Sequence, residues 1–150
     1  MGLGGLAFSI AMASAPSATA AEFKRLAQSV ASDFYMDSRS INGVEAIRTA
    51  DILIVSPDDT DEYVGVEIRR IEFDCTARES RRVSARWYDH DMHLINEVRA
   101  PLRSEAIQDG SVGADLWGFV CRGELPRNAG TQIYRSARAA IQASLREYRE

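Results

Sequence analysis

The amino-acid sequence predicts an α+β domain, with an antiparallel sheet of about five or six strands, a short helix before Cys121, and a C-terminal helix packed on one face. Two observations predict this class. Apolar and polar residues alternate in several stretches between residues 44 and 98, as they do along the strands of a sheet. Helical spacing of apolar residues is clearest after residue 110, and this separation of strands from helices is typical of α+β proteins.

The composition indicates one globular domain. A chain of 150 residues is long enough to bury a core but not to divide into two domains. Hydrophobic residues make up 45% and charged residues 27%, which argues against disorder. The formal net charge of -4 gives no electrostatic basis for binding nucleic acid, which requires a basic surface, so nucleic acid is not an expected partner.

Residues 1–20 have the pattern of a secretory signal peptide. This uncharged stretch contains a short apolar run and ends in Ala18-Thr19-Ala20, an A-x-A cleavage pattern. The apolar run is too short to span a bilayer, so we expect no membrane span in the mature chain. The prediction is therefore a periplasmic, cell-surface or secreted protein, with its main domain at 21–123 and a linker plus amphipathic helix at 124–150. An apolar N-terminal helix retained in the fold is the alternative.

The first part of the mature chain predicts a helix followed by two strands. A short helix is expected within 21–33 because Phe23 and Leu26 share a face at helical spacing with later apolar residues. A short aromatic strand follows it. Asn42-Gly43 then predicts a turn, and alternation over 44–56 predicts a long, half-buried strand.

The middle of the chain predicts three strands around a hairpin. Over residues 63–75 the apolar residues occupy even positions in the first half and odd positions in the second. Because one residue too many separates the two frames, we expect a β-bulge at Arg69-Arg70 that keeps both halves facing the core. A hairpin partner over 83–88 and a further strand near 94–98 follow.

Two helices are expected in the last third. Ser111 is an N-cap before apolar residues at helical spacing, and Gly123 is a stop signal. Thr131 is an available N-cap for the C-terminal helix, whose apolar stripe comprises Ile133, Ala137, Ile141 and Leu145. We expect this stripe to pack on the chain's own sheet. A second copy of the chain, which would give a homodimer through this helix, and a membrane surface are the alternatives.

Cys75 and Cys121, the chain's two cysteines, are expected to form a structural disulfide. In an oxidising compartment, two thiols pair far more often than they bind metal or attack a substrate. A catalytic thiolate needs a histidine or a positive field nearby, and both histidines, His90 and His93, lie in a predicted turn. The bridge would tie the end of a central strand to the short helix.

Four motifs occur in a characteristic order: "FYMDSRSI", "IEFDCTARESRR", "ARWYD" and "GSVGADLWGFVC". This ordered set resembles the surface-adhesin E-like domain family of bacterial envelope proteins, over residues 23–122. The matching residues are Tyr35, Asp37, Ser40, Ile41, Asp74, Cys75, Arg78, Tyr88, Asp89, Ser111 and Cys121. The chain departs from the family pattern at Phe23, where relatives often have Trp, and at Asp109, where they have Pro. The resemblance implies the fold, export and the disulfide more firmly than it implies adhesion to host matrix or serum proteins.

Five arginines around the Cys75 hairpin are candidate ligand-binding residues. They are Arg69, Arg70, Arg78, Arg82 and Arg86. Arginine suits carboxylate, phosphate or sulfate groups, so one interpretation is an anionic-ligand patch on the exposed face of the sheet. A solvated face on which these arginines pair with neighbouring carboxylates is the alternative.

The stretch "YDHDMH" supplies Asp89, His90 and His93 as candidate metal ligands, although hairpin-turn chemistry accounts for the same residues. The sequence contains no catalytic or dinucleotide fingerprint, and no cofactor is predicted. The first hypothesis is an exported, non-enzymatic binding or adhesion-type module. Its expected partner is a protein or an anionic ligand, with a host matrix protein implied by the family resemblance. The competing hypothesis is a periplasmic metal-dependent protein or small envelope enzyme that uses this turn.

Overall fold

The computed structural model describes residues 21–57 and 65–150, and the predicted signal peptide at 1–20 lies outside these ranges. The strands are β1 (Phe23–Gln28), β2 (Asp33–Asp37), β3 (Asn42–Val44), β4 (Ile47–Ser56), β5 (Gly65–Asp74), β6 (Glu79–Tyr88), β7 (Leu94–Val98), β8 (Glu105–Ala106) and β9 (Ile133–Tyr134). The helices are α1 (Val112–Arg122) and α2 (Ala137–Glu147), and a short 3-10 helix spans Ser38–Ser40. Within the described ranges, no helix is long and apolar enough to cross a membrane.

The nine strands of the described chain form one antiparallel sheet, in the order β7-β6-β5-β4-β2-β1-β9. β3 pairs with β4 on the side that β2 occupies, and β8 pairs with β6 on the side that β7 occupies. The predicted α+β class, with a C-terminal helix packed on the sheet, is confirmed. The strand count exceeds the prediction for two reasons. β1 was predicted as a helix, and β3, β8 and β9 contain only two or three residues each, which is too short for a readable alternation.

A helix covers each face of the sheet. Alternate residues of a strand point to opposite faces, and on β4 they belong to two separate hydrophobic clusters. Ile52 and Ile54 pack in the cluster that contains residues of α1, and Leu53 and Val55 pack in the cluster that contains residues of α2. We call these sides the α1 face and the α2 face. Because both are covered, the stretch "ILIV" at residues 52–55 is apolar without interruption.

The bulge predicted at Arg69-Arg70 of β5 is on the wrong strand. β5 pairs with β4 in unbroken register over its full length. The register shift lies between β5 and β6, where Arg70 and Ile71 oppose Ser84 and Arg82, so Val83 of β6 is the extra residue. The change of apolar frame along β5 has a different cause, because its first half buries side chains under α2 and its second half buries them under α1.

The helix predicted within 21–33 is wrong, because these residues form β1 and the turn after it. Phe23 packs in the α2-face cluster and Leu26 in the α1-face cluster, so their three-residue spacing reflects two faces of a strand rather than one face of a helix. Leu26 is also the extra residue of a β-bulge against β2. Val30, the last residue of the predicted helical face, is fully exposed.

Two element boundaries in the structure also differ from the predicted ones. Gly43 lies inside β3 rather than in the turn, which falls at Glu45 and Ala46. A Cβ at Gly43 would lie 2.3 Å from the backbone oxygen of Ile47, so the glycine permits the close approach of β3 and β4.

The C-terminal helix begins later than its predicted cap at Thr131. Residues Ile133–Tyr134 pair with β1 instead, and Ser136 caps α2 by accepting a hydrogen bond from the Ala139 amide at 3.1 Å. Ala140 and Ile141 of α2 are fully buried in the α2-face cluster. The stripe residues Ala137, Ile141 and Leu145 therefore pack on the chain's own sheet, whereas Ile133 lies in β9 and is 47% exposed. A homodimer through this helix stays a prediction.

Candidate functional site

The predicted disulfide joins the end of β5 to α1. Cys75 and Cys121 are bonded, with their Cα atoms 5.5 Å apart, and both cysteines of the chain are therefore used. The Nε1–H of Trp117 donates a hydrogen bond to the backbone oxygen of Asp74 at 3.3 Å, one residue before the bridge. The bridge and this hydrogen bond together fix α1 across β5, which is a structural role.

Arg78, one of the five candidate arginines, lies at the same junction between β5 and α1. Its guanidinium lies over the ring of Trp117 at 5.4 Å, and the guanidinium of Arg122 lies over that ring at 4.6 Å. Arg78 also forms an ion pair with Asp109. Cation–π contacts of this kind stabilise a fold by about 0.5–1 kcal/mol each at exposed sites. Arg78 therefore helps to hold α1 in place, and we exclude it from the candidate ligand site.

The other four candidate arginines do not form one patch, because the sheet separates them into two pairs. Arg69 is opposite the buried Ala85 and Arg82 is opposite Ile71, so both lie on the α1 face. Arg86 is opposite Ile68, which packs in the α2-face cluster, and Arg70 is an even number of residues from Ile68. The extra residue at Val83 produces this division within β6.

Carboxylates already neutralise one arginine of each pair. Arg69 donates two hydrogen bonds to Glu67, both at 2.8 Å, and Arg70 donates two to Asp51 at 2.8 and 2.9 Å. The hydrogen bond and charge of Asp51 also raise the pKa of Arg70. Arg82 and Arg86, by contrast, have no ion pair with any carboxylate of the described residues. These two are the arginines that a ligand can engage without first breaking an ion pair.

Arg86 lies in a groove on the part of the α2 face that α2 leaves open. This α2-face groove has a volume of about 410 Å³ and is lined by Arg70, Val83, Ser84, Arg86, Glu97 and Arg99. Arg86 is opposite Glu97 of β7, but Glu97 accepts its ion pair from Arg99 at 3.1 Å. In the groove, Arg86 has no ion pair with a described residue, whereas Arg70 and Arg99 are each paired with a carboxylate.

The basic residues of the chain favour recognition of oxyanions. Of its 18 basic residues, only Lys24 is a lysine, so 17 are arginines. The planar guanidinium presents paired donors that match carboxylate, phosphate and sulfate groups, whereas an ammonium acts as a point charge. A free arginine in a groove is suited to one such group on a ligand.

The structure uses Asp89 and His93 to close the β6–β7 turn. Asp89 accepts hydrogen bonds from the backbone amides of His93 at 2.8 Å and Asp91 at 2.9 Å, and its other oxygen lies 3.0 Å from His93 Nδ1. The backbone hydrogen bond from His93 is the main cause that lowers the pKa of Asp89. Nε2 of His90 is buried without a hydrogen-bond partner. Across the described residues, no group of three potential metal ligands comes together, and the metal-dependent alternative stays a prediction.

The motif residues outside the disulfide are mainly caps and turn residues. Asp74 accepts hydrogen bonds from the amides of Thr76 and Ala77, and Ser111 caps α1 by accepting one from Ala114 at 3.1 Å. Tyr35 is buried in the core. These residues explain why the sequence pattern identifies the fold without identifying a ligand site.

The sequence did not identify four residues of the α2-face groove: Val83, Ser84, Glu97 and Arg99. One feature of the sequence could have identified Glu97 and Arg99. The strand predicted near 94–98 follows the hairpin of β5 and β6, so it is expected to pair with β6. The register between β6 and β7 decides which charges meet, and the shift near Trp87 and Tyr88 makes that register unreadable from alternation alone.

Comparison with known proteins gives one match. A family model described as Surface-adhesin protein E matches residues 23–122, from the first residue of β1 to the last residue of α1. It leaves β9 and α2 outside the matched range. Neither the curated proteins nor the solved structures contain a match to the chain.

Proposed function

The chain belongs to the surface-adhesin protein E family, and from this premise we propose that it is an exported, non-enzymatic binding module that holds an acidic partner in the α2-face groove. Membership itself indicates an adhesion-type protein of the cell surface or the secreted fraction. The proposed partner is a protein with exposed carboxylate or sulfate groups, and the family resemblance favours a host matrix protein.

The observation that carries this proposal is that Arg86 has no ion pair with any described residue, in a groove whose other arginines are paired. Asp51 pairs with Arg70 and Glu97 pairs with Arg99, so these two arginines already have carboxylate partners before a ligand arrives. An acidic group that reaches Arg86 gains a charge-assisted hydrogen bond worth about 1.5 kcal/mol or more, without displacing a carboxylate. The groove therefore selects a single acidic group in a defined place rather than negative charge in general.

The test uses the mature chain and two defined probes, heparin as a sulfated polymer and poly-glutamate as a carboxylate polymer. Arg86→Gln is expected to weaken binding of at least one probe by about tenfold, which corresponds to the loss of one charge-assisted hydrogen bond. Biolayer interferometry at two salt concentrations measures the affinity and its salt dependence.

Arg146→Gln is the matched control. Arg146 is an exposed arginine of α2 that forms no ion pair with any described residue and does not line this groove. Both variants change the net charge by the same amount, so diffuse attraction would weaken binding equally in the two. Equal losses, or no binding by the unaltered chain, would refute the proposed site.

A further inference from the structure

A second groove lies on the opposite side of the same strands, and the proposed function does not use it. This α1-face groove has a volume of about 200 Å³ and is lined by Arg69, Ile71, Ser80, Arg81, Arg82, Leu102, Arg103 and Glu105. Its volume is half that of the α2-face groove, which favours a small group over a polymer segment.

The wall of this groove is held in place by backbone hydrogen bonds. The Leu102 amide donates to the backbone oxygen of Arg82 at 2.8 Å, and β8 pairs with the first residues of β6 through Ser80 and Glu105. Both ends of the short segment from Leu102 to Glu105 are thus attached to β6. The concave shape is therefore formed before any ligand binds.

The charges in the groove are unbalanced. Arg69 is paired with Glu67 and Arg81 with Glu72, but Arg82 and Arg103 form no ion pair within the described part of the chain. Glu105 is the single acidic residue among the lining residues. Among the described residues, the groove lining therefore has two guanidinium groups without an ion pair and one carboxylate, which is exposed to water.

Arg82 also carries an unmet hydrogen-bond donor. Its Nε is buried and has no hydrogen-bond partner. A buried donor without an acceptor costs about 1–3 kcal/mol, so most such groups in native proteins have a partner. The Nε of Arg78 is also buried without a partner, but an ion pair and an aromatic ring hold that guanidinium. Arg82 has neither among the described residues.

We infer that the α1-face groove is a binding site for one tetrahedral oxyanion, a phosphate or sulfate group, held by Arg82 and Arg103. Such a group presents several acceptor oxygens to the two guanidinium groups and fits a small, fixed cavity better than an extended acidic chain does. The hydroxyl of Ser80 lines the same cavity and is a further donor. Since the sheet separates Arg82 from Arg86, the two grooves bind independently.

The experiment titrates the mature chain with inorganic phosphate and with inorganic sulfate, with sodium chloride at matched ionic strength as the reference. Isothermal titration calorimetry measures affinity, and the NMR signals of arginine Nε–H groups report which side chains respond. Saturable binding of either anion that moves the Arg82 signal supports the site, and the relative affinities decide between phosphate and sulfate as the natural group.

Arg82→Gln and Arg103→Gln are each expected to weaken this binding by about tenfold, while Arg146→Gln leaves it unchanged. Arg103 is exposed on the surface segment, so its variant tests the site even where loss of Arg82 disturbs folding. Binding no stronger than that of chloride would overturn the inference, as would an equal loss in Arg146→Gln. Heparin binding through Arg86 can fail or succeed without changing either result.

Discussion

Replacing both cysteines, as Cys75→Ser with Cys121→Ser, is expected to lower the free energy of unfolding by about 4 kcal/mol. The bridge joins residues that are 46 positions apart. In the chain-entropy model, the entropy lost by closing a loop is a constant plus a term that grows with the logarithm of the loop length. For this loop the constant contributes about 0.6 kcal/mol and the length term about 3.4 kcal/mol at 25 °C. The loss therefore arises mainly because the unfolded chain regains freedom.

The folded state is expected to survive the replacement. Leu116, Trp117 and Val120 of α1 are only 3, 6 and 2% exposed, so their packing against the sheet does not depend on the bridge. The hydrogen bond from Trp117 to Asp74 also remains. The near-ultraviolet circular dichroism of the variant should therefore match that of the unaltered chain at neutral pH.

Urea unfolding, followed by tryptophan fluorescence, measures the effect. With an m-value of about 2 kcal/mol per molar urea, the midpoint is expected to fall by about 2 M. Unfolding of the unaltered chain in the presence of reductant is the control and should give the same midpoint. A loss below about 1 kcal/mol would refute the chain-entropy argument. Loss of the near-ultraviolet signal would show that α1 depends on the bridge for docking.

Two further predictions concern the α2 face. Burial raises the pKa of Tyr35 to about 12, so the folded state keeps a proton that the unfolded state releases. The contribution of Tyr35 to the free energy of unfolding is fully present below about pH 10 and should fall by about 2 kcal/mol as the pH rises toward 12. Tyr35→Phe should reduce this dependence of the free energy of unfolding on pH, as measured by urea titrations. Ser144→Ala removes the hydroxyl that donates to the fully buried Asp33 and should cost about 1–3 kcal/mol in thermal unfolding. Ser38→Ala, at an exposed position, should change stability by less than about 0.5 kcal/mol, and equal effects would contradict the role of Ser144.

Local signals in the sequence were sufficient for several elements. Ser111 and Gly123 bound α1 as predicted, because a side-chain cap and a left-handed glycine act on the backbone within a few residues. The pairing of Cys75 with Cys121 followed from there being two cysteines in a chain with a predicted export signal. The family pattern was readable for a similar reason, because most of its residues outside the disulfide are caps and turn residues that act close to their own positions.

The tertiary structure alone decided which side chains share a surface. The five candidate arginines are close in sequence, but the extra residue at Val83 and the alternation of the strands place them on two faces and at the α1 junction. Phe23 and Leu26 had the spacing of a helix because each is buried under a different helix. The face that a strand residue occupies depends on register and on what covers the sheet, and both are set by partners far away in the chain. For that reason, the sequence could not show that Arg70 pairs with Asp51 or that Arg86 has no ion pair among the described residues. It also could not show that Arg99 lines the same groove.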